Sequence, residues 1–254
     1  MTALWQTWYL YVRNFKVWIA QPINLIGPLV FVAFFFLLFG APLSRVAEIP
    51  GFPADNYQAF IAGMILVQAV IFTGSDVAMA MLADILSGYF DKLLLAPINR
   101  FSILMSSLLM AATRTLFQAV AIVIMSLALG VDFQAGVPGI LVLVILASTF
   151  GIAWSSLGLM IALKTKSAQV TQSSWLLFFP IAFVTTGFMP KELLTGWFRI
   201  AVNINPVDYV LESMRVLIIR GWDWGAFLPG LWVLIGLTLV LTAGATLLYR
   251  RATA

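Results

Sequence analysis

Six apolar stretches dominate this sequence, each close to the roughly 20 residues that an α-helix needs to cross the hydrocarbon core of a bilayer. They run over about 23–41, 57–75, 101–130, 137–163, 173–190 and 229–248. Together they hold a single charge, Arg114, and no Asp or Glu. Their apolar character is continuous and lacks the period-2 alternation of barrel strands, which predicts helices. The chain therefore reads as an all-α integral membrane protein, a single domain over residues 1–254. Only 9% of its residues are charged, against about 25% in an ordinary soluble domain, and 62% are apolar. That is too little polar surface for a water-soluble enzyme, and the wrong composition for a disordered chain, a collagen or a coiled coil.

The missing residue types exclude several chemistries. With 0 His and 0 Cys the chain has no zinc or haem ligation of the usual kinds, no disulfide and no imidazole relay, so no metal site is expected. A phosphate-cradling Walker A loop needs Gly directly before Lys, so that backbone amides and the ammonium surround the phosphates. Lys16, Lys92, Lys164, Lys166 and Lys191 instead follow Phe, Asp, Leu, Thr and Pro. No ATPase site lies in this chain. An HExxH metalloprotease and a Ser-His dyad are excluded by the lack of His, and Trp154-Ser155-Ser156-Leu157-Gly158 reads as a close-packing segment rather than a nucleophile elbow. The net charge of +4 suits loop anchoring at a membrane better than nucleic-acid binding.

Lys and Arg set the orientation. With the N-terminus in the cytoplasm, Arg13, Lys16, Lys92, Arg100, Lys164, Lys166, Arg250 and Arg251 lie inside, and the short loop at 130–136 lies outside with Asp132 and no base. Both termini are expected to be cytoplasmic. Residues 1–22 mix Arg13 and Lys16 with Trp5, Trp8, Tyr9, Tyr11 and Trp18, the pattern of a helix lying in the headgroup plane. Arg114 is costly at bilayer depth, by at least ~2.5–3.5 kcal/mol. It is expected to face the bundle interior, pair with a group such as Asp76, or snorkel to the cytoplasmic side, with a direct role in transport as the alternative.

Two connections are patterned. In 76–100, Leu82, Ile85, Leu86, Tyr89 and Leu93 form an apolar stripe at helical spacing, with Asp84, Ser87, Gly88, Asp91 and Lys92 opposite. Such a helix could lie on lipid or dock into a soluble partner. The external segment 191–223 divides at Asn205-Pro206 into two short helices, with Pro206 suited to a first turn and Gly221 to the position past an end. It reads either as an inert cap or as an outer gate.

Residues 163–219 resemble the signature region of type-2 ABC transporter permeases, in the drug-export and nodulation-type branch. The resemblance rests on the basic loop Lys164-Thr165-Lys166-Ser167, on Gly187-Phe188-x-Pro190 and on Leu194 and Trp197. It continues through Asn205-Pro206-x-x-Tyr209 and Glu212-x-x-Arg215. Ile85-Leu86-Ser87-Gly88 through Leu94-Leu95-Ala96-Pro97-Ile98-Asn99-Arg100 is similar to the family's cytoplasmic leucine-rich segment, although Tyr89, Phe90 and Asp91 replace its usual Gly-Thr-Leu and basic residues. The resemblance implies a six-span permease subunit of the bacterial plasma membrane that dimerises with an identical or paralogous permease. It implies two copies of a cytoplasmic ABC ATPase that bind the ATP and Mg, and contact with membrane lipid. By the same analogy, 81–97 carries a coupling helix, with Asp84, Ile85, Phe90, Asp91, Lys92 and Leu95 meeting the ATPase, and 191–220 carries external re-entrant helices.

Closure of the ATPases would then tilt the second and fifth spans, and the expected pathway wall is Trp175, Phe178, Phe179, Phe183, Thr185, Thr186 and Phe188. Aromatic faces and hydroxyls there would favour an amphipathic drug or lipid-like cargo moving out of the cell. Trp197, Asn205, Pro206, Tyr209, Glu212 and Arg215 form the expected external gate. Export of polysaccharide or glycolipid on the same fold is the alternative within the family. A secondary carrier would need an acid inside the spans, and a lipid-acting enzyme a catalytic constellation; neither pattern is present in the sequence.

Overall fold

The computed structural model describes residues 2–40, 42–49, 52–54 and 56–253, with the side chains of 174, 175, 177, 178, 252 and 253 left out. The described residues form helices and turns, with no β-strand among them. α1 (Ala3–Ile19) leads into α2 (Ile23–Phe35), whose last turn widens into a π-helical turn at Phe36–Gly40. α3 (Tyr57–Leu86) starts on Asn56, whose Oδ1 accepts the Ala59 amide at 2.7 Å and satisfies one of the orphan donors of a helix start. It does not stop near Ser75 as the apolar run does, but continues for another three turns. No Pro or Gly interrupts 76–86, so the spanning helix and the first half of the patterned connection are one rod.

At Ser87-Gly88 that rod ends. Gly88 sits at φ +71°, a left-handed conformation open to glycine, and the chain restarts as α4 (Tyr89–Leu95). The expected single helix over 81–97 is thus two pieces with a sharp bend between them. Pro97 and the Asn99 cap then open α5 (Arg100–Ala128), and a tight loop leads to α6 (Gly136–Thr165).

α3 and α6 cross closely. A Cβ on Gly158 would stand 2.8 Å from the Gly74 carbonyl oxygen, and one on Gly74 would stand 2.8 Å from the Trp154 ring. Ser155 and Ser156 are fully buried in the same stretch, as the close-packing reading of 154–158 expects. α7 (Ala168–Phe183) follows, then α8 (Gly196–Ile204), α9 (Pro206–Ile219) and α10 (Trp224–Thr253).

Among the described residues, five helical stretches are long and apolar enough to cross a membrane: Ile23–Gly40, Tyr57–Leu86, Arg100–Ala128, Gly136–Thr165 and Trp224–Arg251. The expected fifth span, at 173–190, differs. α7 has 16 residues and stops at Phe183, three residues after the internal Pro180 removes a backbone donor. Residues 184–190 are irregular. α3 is the most buried of the five, whereas α2 and α10 are largely uncovered. α1, α4 and the last turns of α10 share one end of the bundle, called here the terminal end. α9 and the starts of α3 and α10 share the other, the far end.

Candidate functional site

At the terminal end α1 is tied down along its length. Arg13 forms a two-pronged ion pair with Asp84 (Nη1–Oδ2 2.6 Å, Nη2–Oδ1 2.7 Å), and its guanidinium lies 4.0 Å from the Tyr89 ring centroid. The bond to Asp84 holds the Arg13 pKa above its ordinary value. One side chain therefore clamps α1 to both sides of the Ser87-Gly88 bend. Further along, Gln6 accepts the Asn99 amide at 2.9 Å through Oε1, and Ser102 donates to the Ala3 carbonyl at 3.0 Å. α4 is anchored from the other side, where Phe90 meets Tyr249 of α10 edge to face at 6.0 Å.

These contacts sort the expected coupling residues. Phe90 and Leu93 are buried, Ile85 is half-buried against the same core, and Asp84 is engaged by Arg13. Asp91, Lys92 and Leu95 are exposed, Leu95 at 88%, with Leu86 beside them. The face free to meet a partner is therefore Leu86, Asp91, Lys92 and Leu95. Phe90 was expected at the ATPase through the family resemblance alone; beyond the bend at Gly88 it turns into the core instead.

Between α1, α3 and α5 lies a cavity of about 370 Å³ whose wall includes Arg13, Trp18, Asp76, Asp84, Met110 and Arg114. Asp76 is open to it. Arg114 faces the same space, 5.8 Å from the Trp18 ring centroid, and its buried Nε has no hydrogen-bond partner among the described residues. No ion pair within 4.0 Å joins Arg114 to Asp76. Of the expectations for Arg114, the inward-facing one describes its position, and the direct pairing with Asp76 does not form.

Of the expected pathway wall, Trp175 and Phe178 lie outside the described side chains. Phe179, Phe183 and Phe188 form one end of a ladder of rings: Phe179–Phe183 at 4.0 Å, Phe183–Phe188 at 5.6 Å and Phe188–Phe39 at 5.1 Å. It continues through Phe35 and Phe31 to Phe72 of α3. The i, i+4 spacing of Phe31, Phe35 and Phe39 is the sequence signal for that half. Thr185 and Thr186 do not join the ladder; both are buried.

Thr186 belongs to a polar knot at the far end. Arg215 of α9, its side chain 5% exposed, donates from Nε to the Phe60 carbonyl at 3.2 Å and from Nη2 to the Thr186 carbonyl at 2.8 Å. Its Nη1 donates to the Thr186 hydroxyl at 3.0 Å and to Glu212, and the guanidinium lies 3.9 Å from the Phe60 ring centroid. Asp208 accepts the Thr186 amide at 2.6 Å through an oxygen 2.8 Å from the Thr186 hydroxyl. Burial pushes the Asp208 carboxyl up from its ordinary pKa and pushes the Arg215 guanidinium down.

Asn205 stands beside the knot. Its Nδ2 donates to the carbonyls of Ile181 and Val184, both at 2.6 Å, while its Oδ1 caps α9 at the Val207 amide, 3.0 Å away. One side chain satisfies the broken end of α7 and the start of α9. α9 also approaches α10 so closely that a Cβ on Gly230 would stand 2.1 Å from the Tyr209 carbonyl oxygen. Of the expected external gate, Asn205 and Arg215 are buried and Glu212 is half-buried. Pro206, Tyr209 and Trp197 are exposed, the Tyr209 hydroxyl donating to the Asn203 carbonyl at 2.9 Å. Asp208 was missed, although its i, i+4 spacing to Glu212 and i, i+7 spacing to Arg215 place all three on one helical face.

Residues 5–219 match the ABC-2 type transporter family. Among curated relatives, the "Daunorubicin resistance ABC transporter permease protein DrrB1" of Streptomyces coeruleorubidus is 27% identical over 263 residues, covering 100% of this chain and 87% of the relative. The "Probable doxorubicin resistance ABC transporter permease protein DrrC" of Mycobacterium tuberculosis (strain CDC 1551 / Oshkosh) is 28% identical over 227 residues, covering 89% and 79%.

Proposed function

The chain belongs to the ABC-2 type transporter family, and on that premise we propose that it is the membrane-spanning permease subunit of an ATP-driven exporter that moves an amphipathic drug or lipid-like molecule out of the cell. The names of its relatives support a drug-like cargo. Two copies of a separate cytoplasmic ATPase bind the ATP and Mg; this chain's lysines lack the glycine that a phosphate loop needs. Two permease subunits, identical or paralogous, pair to enclose the route. α7 serves as a short, broken sixth crossing (fifth in chain order), completed by the irregular backbone of 184–190 where Asn205 and Arg215 satisfy its carbonyls. Both termini face the cytoplasm of a bacterial cell, and the far end faces outside.

The observation that carries this reading is the construction of the terminal end. α4 is a short lever whose inner face is bolted to α10 through Phe90 and to α1 through Tyr89 and Arg13, while Leu86, Asp91, Lys92 and Leu95 are presented outward. A lever fixed to α3 at a glycine bend passes movement of a docked partner into the most buried helix of the bundle. The phenylalanine ladder between α2 and α7 gives an apolar cargo a face to move along. Export of a fluorescent amphipathic drug from cells that also express the ATPase tests the assignment. Leu95→Arg and Asp91→Arg are expected to abolish export with the protein still in the membrane. Unchanged export in both would remove the coupling role of α4.

A further inference from the structure

The cavity between α1, α3 and α5 is a built site that the export reading leaves unused. Of the four charged groups in its wall, Arg13 and Asp84 neutralise each other in a two-pronged pair. Asp76 and Arg114 remain. One carboxylate and one guanidinium face the same 370 Å³ space without an ion pair between them, and the guanidinium carries a buried Nε with no partner among the described residues. The two attract each other across the space without touching, and a ligand that brings the complementary pair can meet each of them at hydrogen-bond distance. Such a ligand carries a cation with N–H donors for Asp76 and an oxyanion for the fork of Arg114, side by side.

Depth narrows the source. α1, which roofs the cavity, exposes Trp5, Trp8 and Tyr9 with Lys16 and Arg13 on the same short helix, the composition of a segment at headgroup level. The rim residues Val17, Gln21, Ala80 and Ala83 are exposed, so the space opens sideways. We propose that this cavity binds the headgroup of a zwitterionic phospholipid with a primary amine, of the phosphatidylethanolamine type, its ammonium on Asp76 and its phosphate on Arg114. A quaternary ammonium fits poorly. It has no N–H for the carboxylate, and Trp18 is the single aromatic in the wall among the described residues, where a choline cage needs several. An anionic lipid without an amine leaves Asp76 unpaired. The site requires only that the chain sits in a membrane, so its test is independent of cargo and of the ATPase.

The full-length chain is reconstituted in nanodiscs of equal parts phosphatidylethanolamine, phosphatidylcholine and phosphatidylglycerol. It is then extracted, and the lipid it retains is quantified by mass spectrometry. The wild-type chain is expected to retain phosphatidylethanolamine about tenfold over phosphatidylcholine, the scale of one lost charge-assisted hydrogen bond. Asp76→Asn levels the two lipids, and Arg114→Gln loses both. A photoactivatable phosphatidylethanolamine labels the wild-type chain within 17–24 or 107–114, which keeps the test valid should a variant fold poorly. Soluble O-phosphoethanolamine separates the sources: binding without lipid shows that the headgroup suffices, and no binding shows that the acyl chains are needed, both consistent with the site. Equal retention of all three lipids by the wild type, enrichment that survives Asp76→Asn, or labelling confined to other segments overturns the proposal.

Discussion

Two arginine–carboxylate centres, one at each end of the bundle, use the same chemistry to opposite ends. Arg13 and Asp84 are 35% and 24% exposed, and they join α1 to α3 beside the bend at Gly88. Arg215 is buried and surrounded by two carboxylates, three backbone carbonyls, a hydroxyl and a ring within one compact knot. A half-exposed pair contributes little to stability, about 0.2–1 kcal/mol, because water competes for both partners. A buried pair is costly to break, because either partner left alone is an unsolvated charge. The terminal-end pair thus suits a joint that moves, and the far-end knot suits a fixed pivot.

The sharpest way to break this contrast is at the knot. Arg215→Met is expected to destabilise the protein by about 3–5 kcal/mol in a detergent unfolding assay, since Glu212 and three carbonyls lose their donor and Asp208 loses a nearby positive charge. Adding Asp208→Asn to that variant is expected to restore part of the loss. A smaller cost, about 2 kcal/mol, is expected for Asn205→Ala, which frees two carbonyls of the broken helix and uncaps α9.

Arg13→Gln sharpens the contrast from the other side. Its unfolding transition is expected to move by less than about 1 kcal/mol, while ATPase-driven export falls severalfold because α1 no longer follows the bend. A large loss of stability there, with export intact, would make the two centres alike. The smallest effect concerns pH. Burial raises the folded pKa of Asp208, so the folded state holds a proton that the unfolded chain releases above the ordinary carboxylate value near ~3.9. Stability from this group is present below that value and is lost as pH rises through the raised folded pKa, with Glu212 and Arg215 facing it throughout. The free energy of unfolding, measured from pH 4 upward, should fall more steeply in the wild type than in Asp208→Asn.

The same two regions show what local pattern could and could not reveal. Asn56, Asn99 and Pro206 act at helix starts, because caps and first-turn prolines are local chemistry. Five of the six apolar runs are helices of spanning length for the same reason. α7 ends short of its apolar run because its end is fixed by the amide of Asn205, more than 20 residues away, which no local pattern contains. At the terminal end, Gly88 turns left-handed and resets the helical phase, so Leu86 of the apolar stripe is exposed while Phe90, outside that stripe, is buried. Arg13 looked like an interfacial base because its partner Asp84 lies 71 residues on. Long-range polar bonds, rather than apolar periodicity, carry what the sequence concealed at both ends.

The central claim is that this chain supplies a conduit and takes its motion from another subunit through α4. Purified chain in sealed vesicles, loaded with a fluorescent amphipathic drug and given ATP, tests it directly when the ATPase is added or withheld and Leu95→Arg serves as the uncoupled comparison. The account predicts ATP-dependent movement only with the ATPase present, and none with Leu95→Arg despite a bound ATPase. Movement by the chain alone, or ATP-driven movement undiminished in Leu95→Arg, would contradict it.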